Sequence, residues 1–267
     1  MESDVPGLDI ETPHPSRMYD YYLGGKDNWP ADRDAARRVI RAVPEIQEMA
    51  RENRAFLQRV VRYLIRDAGI RQIIDIGTGL PTAGNVHEVA QQVDPGTRIV
   101  CVDNDPLVHT HARVLLAGTG PVAHVLADAR DPESILTNPQ VRDLIDFRQP
   151  VGLLMVAILH FIPDANDPAS IIAAFRERLA PGSQLALSHG TSDLHTAAKV
   201  HRATAAYEPA TAPLVLRTRR QILTFFGGWR LIDPGLVQVP LWRPDVPVPP
   251  PDVLAKLGIY GGVGIRA

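Results

Sequence analysis

RQIIDIGTGLP, residues 71–81, packs three isoleucines around Asp75 and then delivers two glycines, Gly77 and Gly79. Ile73, Ile74 and Ile76 suit a short buried strand. The glycines after it let the backbone turn tightly and come close to a ligand. The same rhythm returns in TRIVCVD (97–103), VAHVLAD (122–128), VGLLMVAIL (151–159) and QLALSH (184–189). Helical segments separate these runs. One spans about 85–93, and a second starts at Pro106 with Asp105 as its cap and Gly118 at its end. Another helical region runs through Ile145, and a fourth opens at Asp167-Pro168 and closes near Leu179. Apolar strands alternating with capped helices predict a parallel sheet covered on both faces. WRLIDPGLVQV (229–239) and GGVGIRA (261–267) read as two further strands. The expected fold is α/β: a three-layer, doubly wound domain over residues 70–267, preceded by a helical N-terminal extension over residues 1–69.

That extension has two parts. Residues 1–35 are polar, rich in Pro, Gly and Tyr, and carry no clear period. From Pro44 to Ala68, Ile46, Met49, Leu57, Val60, Val61 and Leu64 recur at helical spacing, and Gly69 supplies the stop. Arginines 51, 54, 59, 62 and 66 are expected mostly off that apolar stripe.

Composition excludes several classes. With 267 residues, 45% of them apolar, the chain can bury a sizeable core. Its longest apolar run is the nine residues from Val151 to Leu159, whereas a membrane span needs roughly 20. Glu2, Asp4, Asp9 and Glu11 precede any apolar stretch, the reverse of a secretory signal. A soluble, cytoplasmic protein is expected. The net charge of −2 disfavours a nucleic-acid partner. Cys101 is the sole cysteine, which rules out an internal disulfide and a Cys-based zinc site. His109 and His111 do not share a helix face, so no metal site is expected.

In an open α/β sheet, ligands bind beyond the carboxyl ends of the strands. Those ends carry Asp75-Ile-Gly77-Thr-Gly79, then Asp103-Asn104-Asp105, then Ala127-Asp128-Ala129-Arg130, then Ala157-Ile-Leu-His160. Glycine turn, acid and acid follow in order, and Asp103 is suited to accept both hydroxyls of a ribose.

The series DIGTGLP, VCVDND, LADAR, LMVAILHFIPD and LAPGSQLALSH resembles class I S-adenosylmethionine-dependent methyltransferases over about residues 70–190. SRMYDYYLGGKDNWPADR (16–33), MARENRAFLQRVVRYL (49–64) and PGLVQVPLWRP (234–244) resemble one subgroup, methyltransferase-fold proteins from high-GC bacteria catalogued as a domain of unknown function. The resemblance implies a seven-stranded Rossmann-like sheet with its last strand antiparallel. It implies S-adenosylmethionine as ligand and S-adenosylhomocysteine as product. In this sequence Asp75 would anchor the glycine turn, and Gly77 and Gly79 would lie along the methionine moiety. Asp103 would take the ribose, Asn104 would flank the adenine, and Asp128 and Ala129 would face its edge. Ala157 would turn its carbonyl toward the cofactor's ammonium. Pro81 departs from the pattern, standing where many such enzymes place a third glycine.

Residues 16–30, with Tyr19, Tyr21, Tyr22, Lys26, Asp27 and Asn28 around a Gly24-Gly25 bend, read as a lid that closes over the cofactor, or else as a packed arm. The lid reading adds Tyr22 to the cofactor contacts. His160 and Tyr22 are the candidate catalytic side chains, His160 because imidazole titrates near neutrality. The acceptor is expected to be a small molecule, and the residues identify no oligomeric state. Other functions share some of these features. A non-catalytic S-adenosylmethionine sensor would keep the strand-end residues and lack an acceptor pocket. An NAD-dependent oxidoreductase wants a third glycine where Thr82 stands. A glycosyltransferase could use Asp103-Asn104-Asp105 on a metal, but nothing else in the sequence supports one.

Overall fold

The computed structural model describes residues 9–81, 84–115 and 120–267. Gly118, Thr82, Glu2 and Asp4 lie outside the described residues. Three helices come first: α1 (Pro15–Tyr22), α2 (Pro30–Ala42) and α3 (Ile46–Arg66). The chain then alternates: β1 (Gln72–Ile76), α4 (Val86–Val93), β2 (Arg98–Asp103), α5 (Pro106–Leu115) and β3 (Val122–Leu126). After α6 (Pro132–Leu136) and α7 (Pro139–Leu144) come β4 (Gly152–Val156), α8 (Pro168–Arg178), β5 (Gln184–Gly190), α9 (Ala197–Ala206) and α10 (Arg219–Thr224). The chain closes with β6 (Arg230–Leu231), β7 (Val237–Gln238), α11 (Pro251–Leu254) and β8 (Ile259–Ile265).

The strands form one sheet of order β3-β2-β1-β4-β5-β8-β6, with β7 also paired to β8. β1 to β5 run parallel, and β8 is antiparallel to β5. Alternate side chains feed opposite faces. Ile74, Ile76, Val100, Leu153 and Leu185 pack with Ile135, Phe175 and Leu179 on one face. Ile73, Ile99, Leu154, Ala186 and Val263 pack under Phe56, Val60, Val61 and Leu64 of α3 on the other. Residue 70 therefore marks a change from helix to sheet within a shared core. No described helix is long and apolar enough to cross a membrane.

Four sequence expectations are corrected. First, residues 15–22 and 30–42 are helical, although residues 1–35 show no apolar period. Pro15 and Pro30 open their helices at N1, and the buried face of α1 is mixed: Met18 and Tyr22 lie beside Arg17 and Asp20. Second, the fourth strand stops at Val156, three residues early. Ala157 takes φ +57°, and its N–H is captured by Ser188 of β5, through the carbonyl at 3.2 Å and Oγ at 3.0 Å. Third, residues 229–239 split around Asp233-Pro234-Gly235 into β6 and β7, so the described sheet has eight strands rather than seven. Fourth, Arg59 is buried on the apolar side of α3, where it donates to the carbonyls of Trp242 at 3.0 Å and Val239 at 2.6 Å.

Candidate functional site

Beyond the carboxyl ends of β1, β2, β3 and β4 lies a cleft enclosing about 200 Å³. Its floor is made by the turns the sequence singles out. Gly77 and Thr78 bend over the neighbouring strand, both donating N–H groups to the Val102 carbonyl, at 2.8 and 3.1 Å. Gly77 and Gly79 have φ of +73° and +70°, a region that L side chains avoid. A Cβ on Gly77 would strike Ile158, whereas one on Gly79 would point into open space.

The structure brings Asp75, Gly77, Gly79, Asp103, Asn104, Asp128, Ala129 and Ala157 together in this one cleft. Asp103 Oδ2 accepts the Gly79 N–H at 2.8 Å, and Oδ1 accepts that of Asp105 at 3.0 Å. The carboxylate thus ties the glycine turn to the end of β2. Burial pushes the Asp103 carboxyl up to about 7, against those two N–H groups, which favour the ionised form. Burial also raises Asp75 to about 6, opposed by the Thr78 side chain and the Arg54 charge. Asp128 moves the other way. Its hydrogen bonds to Arg130, at 2.9 and 3.0 Å to Nε, hold it below the usual carboxylate range.

Tyr22 and His160 lie elsewhere. Both line a second cavity of about 80 Å³ that adjoins the cleft. Tyr22, expected among the cofactor contacts, instead pairs its hydroxyl with that of Tyr207 at 3.1 Å. The Gly190 N–H donates to His160 Nδ1 at 3.3 Å, which leaves the ring proton of the neutral imidazole on Nε2. Burial, followed by the His189 and Arg217 charges, drives the pKa of His160 well down. As placed, Nε2 offers a proton rather than takes one, so the geometry does not favour His160 as a base.

The wall opposite the strand ends includes Tyr19, from the segment read as a lid or packed arm, and Asp20, Asn53 and Arg54, which the sequence pattern did not assign to the site. α1 contributes Tyr19 and Asp20 to the cleft, and α3 contributes Asn53 and Arg54. A buried chain of hydrogen bonds fixes this wall. Ser188 Oγ donates to Asn53 Oδ1 at 2.6 Å, Asn53 Nδ2 to Tyr19 Oη at 3.0 Å, and Tyr19 Oη to the Ala50 carbonyl at 3.0 Å. The available signal was Asn53 itself, a polar residue midway between Met49 and Leu57 on the apolar stripe. Asp20 Oδ2 accepts from Asn28 Nδ2 at 2.7 Å and from the Asp27 N–H at 3.1 Å. Its Oδ1 is buried without a hydrogen-bond partner. Arg217, 3% exposed, holds the chain after β4 in place. It donates to the carbonyls of Leu159 at 3.0 Å and Ile162 at 2.9 Å, and to Asp164 at 2.6 Å.

A parallel sheet with a terminal antiparallel strand, and a cleft built from a glycine turn and successive strand-end acids, defines an α/β protein of the Rossmann-like methyltransferase class. The family model described as S-adenosyl methyltransferase matches residues 1–267, and the chain belongs to that family. It is similar in structure to a candidate methyltransferase from Thermobifida fusca, with 42% identity, 98% of this chain and 97% of that one covered, and a TM-score of 0.91. It is also similar to a DUF574 family protein from Streptomyces avermitilis, with 42% identity, coverage of 97% and 99%, and a TM-score of 0.92. At the level of fold alone it is similar to the N-methyltransferase NodS from Bradyrhizobium japonicum, solved with S-adenosylhomocysteine. That match has 13% identity, coverage of 94% and 98%, and a TM-score of 0.50. No curated protein matches the chain.

Proposed function

We infer that the cleft binds S-adenosylmethionine and that the protein methylates a small molecule, releasing S-adenosylhomocysteine. The observation that carries this reading is the convergence of glycine turn, Asp103 and Asp128-Ala129 from three successive strands on one cleft.

The residues present fit such a cofactor. The open space before Gly79 lets a ligand lie directly on the main chain. The unpartnered Oδ1 of Asp20 calls for a hydrogen-bond donor, preferably a cationic one such as an ammonium group. In this reading Asp75 steadies the turn, and Gly77 and Gly79 border the methionine moiety. Asp103 accepts ribose hydroxyls, Asn104 flanks the adenine, and Asp128 and Ala129 face the adenine edge. Ala157 directs its carbonyl toward the ammonium. When bound, the cofactor supplies an electrophilic methyl group on a sulfonium centre.

The chain's own contribution is alignment and exclusion of water by the wall of α1 and α3. Positioning of this kind is worth roughly 7–11 kcal/mol of barrier. A base is required only where the nucleophile arrives protonated. The second cavity, adjoining the cleft at the end of β4, supports an enzyme over a sensor, since it offers room for an acceptor.

Calorimetric titration with S-adenosylmethionine, S-adenosylhomocysteine and NAD tests the cofactor reading. Binding of the first two and not of NAD is expected. Tight NAD binding with no response to S-adenosylmethionine would overturn it.

A further inference from the structure

The second cavity adjoins the cleft. Pro15, Tyr19, Asn53, Ala157 and Phe161 line both spaces. Its walls are mostly apolar, with Val39, Val43, Met49, Ala203, Leu214 and Ile259 contributed by α2, α3, α9 and the segments beside β5 and β8. At about 80 Å³ it has room for two or three waters, about half of the roughly 150 Å³ that holds a benzene, so a single ring seated here must reach into the adjoining cleft of about 200 Å³.

Its polar groups are few and mostly committed. Lys199 Nζ is bound to Glu45 Oε2 at 2.8 Å, so the cation bordering the cavity is already neutralised. Burial holds His160 and His195 below the usual imidazole range, hence uncharged at neutral pH. A phosphate or carboxylate would therefore lose its hydration here without a matching cation. Besides the His160 Nε2 proton, one polar feature keeps spare capacity. Tyr22 and Tyr207 face each other with hydroxyls 3.1 Å apart. One of their two protons is used within the pair, and the other proton and the remaining lone pairs are available to a ligand.

We propose that this cavity is the acceptor site, and that, together with the edge of the cleft it adjoins, it takes a neutral, largely apolar molecule of one ring whose single hydroxyl meets the Tyr22–Tyr207 pair. The assignment as acceptor site rests on the cofactor reading of the adjoining cleft.

The test is calorimetric titration of the full chain, with and without saturating S-adenosylhomocysteine, using p-cresol, toluene, 4-methylbenzoate and 4-methylphenyl phosphate. p-Cresol should bind at least tenfold more tightly than toluene or either anion. Tyr207→Phe should erase most of the preference over toluene. Ala203→Phe and Val200→Phe, which fill the cavity from α9, should each weaken p-cresol tenfold or more while S-adenosylhomocysteine affinity stays within twofold.

Three results would overturn the proposal: no p-cresol binding at millimolar concentration, an anion that binds as tightly, or undiminished p-cresol binding in a filled variant that still binds S-adenosylhomocysteine. If neither filled variant folds, the ranking of the four probes on the native chain decides alone. Correct probe ranking with no S-adenosylhomocysteine binding would strike the cofactor reading and leave the cavity's ligand class standing.

Discussion

Arg17 and Asp105 stand 88 residues apart in the chain, yet Arg17 Nε donates to Asp105 Oδ2 at 3.0 Å. Both side chains are almost wholly buried, at 2% and 1% exposure. Oδ1 of the same carboxylate accepts the Leu107 N–H at 2.9 Å and caps α5. One oxygen therefore serves the helix and the other docks α1 beside the end of β2. Ser16 Oγ joins the docking oxygen at 3.2 Å, so the α1 wall of the cleft is registered against the strand that carries Asp103.

Asp105→Ala should consequently cost far more than a lost cap. Removing a cap is worth about 1 kcal/mol, whereas breaking a buried ion pair from one side costs about 3–5 kcal/mol. Asp105→Asn, which can keep the cap while losing the charge, should fall between. Urea denaturation of the three proteins checks this. A loss of only about 1 kcal/mol in the alanine variant would mean that Arg17 is held adequately by Asp32, 3.6 Å away.

The raised Asp103 carboxyl, near 7 against an ordinary 3.8, makes a pH prediction. A carboxyl raised on folding holds its proton more tightly in the folded state. Its stabilising contribution is complete below about 4 and is lost as pH rises through about 7. The stability difference between native protein and Asp103→Asn should therefore drift against the native chain from pH 4 to pH 8. Cofactor affinity should move the opposite way, because the ionised carboxylate is the better acceptor for ribose hydroxyls. Binding near pH 7 should release a proton, measurable by calorimetry in buffers of different ionisation heat. At pH 8 the variant should bind about tenfold to a hundredfold more weakly, in line with roughly 1.5–3 kcal/mol for a charge-assisted hydrogen bond.

Asp20 should show a trade between stability and binding. Burial raises its carboxyl above the usual range, with the Asn28 hydrogen bond opposing, and Oδ1 has no partner in the ligand-free chain. In Asp20→Asn the amide oxygen can keep the Asn28 and Asp27 donors, while the buried charge disappears. Thermal stability at neutral pH should hold or rise, and S-adenosylhomocysteine affinity should fall tenfold or more, roughly 1.5 kcal/mol. Unchanged affinity would remove Asp20 from the cofactor contacts.

The N-terminal helices should behave as core and not as a mobile lid. Met18 and Tyr22 of α1 pack with Ala35, Ala36 and Val39 of α2, Ala50 of α3 and Tyr207. Amide exchange across residues 16–22 should be slow without ligand, as in β1 and β4. Deletion of residues 1–30 should lower the unfolding midpoint sharply, since it uncovers that cluster and leaves Asp105 without Arg17. Fast exchange that slows only on cofactor addition would restore the lid.

Much of the sheet was readable in advance because its signals are local. β-branched runs, a proline at a helix's first position and an acid before it act within a few residues of themselves. Thus Asp167 caps α8 through Ser170, and Asn85 begins α4, where the linear pattern puts them. The strand-end acids were legible for the same reason, since the end of an apolar run marks the end of a buried strand.

What the linear pattern cannot show is a polar group buried against a distant partner. Arg17 and Asp20 make α1 look like a solvated arm until Asp105 and Asn28 are brought to them. Asn53 interrupts the stripe of α3 until Ser188 and Tyr19 arrive to satisfy it. Ala157 ends β4 because Ser188 takes its N–H, and Tyr22 faces Tyr207 across 185 residues. The sequence by itself determined the α/β layering and the carboxylates at the strand ends. Tertiary structure alone decided the wall that faces them, because buried polar atoms take positions set by hydrogen-bond partners and not by apolar period.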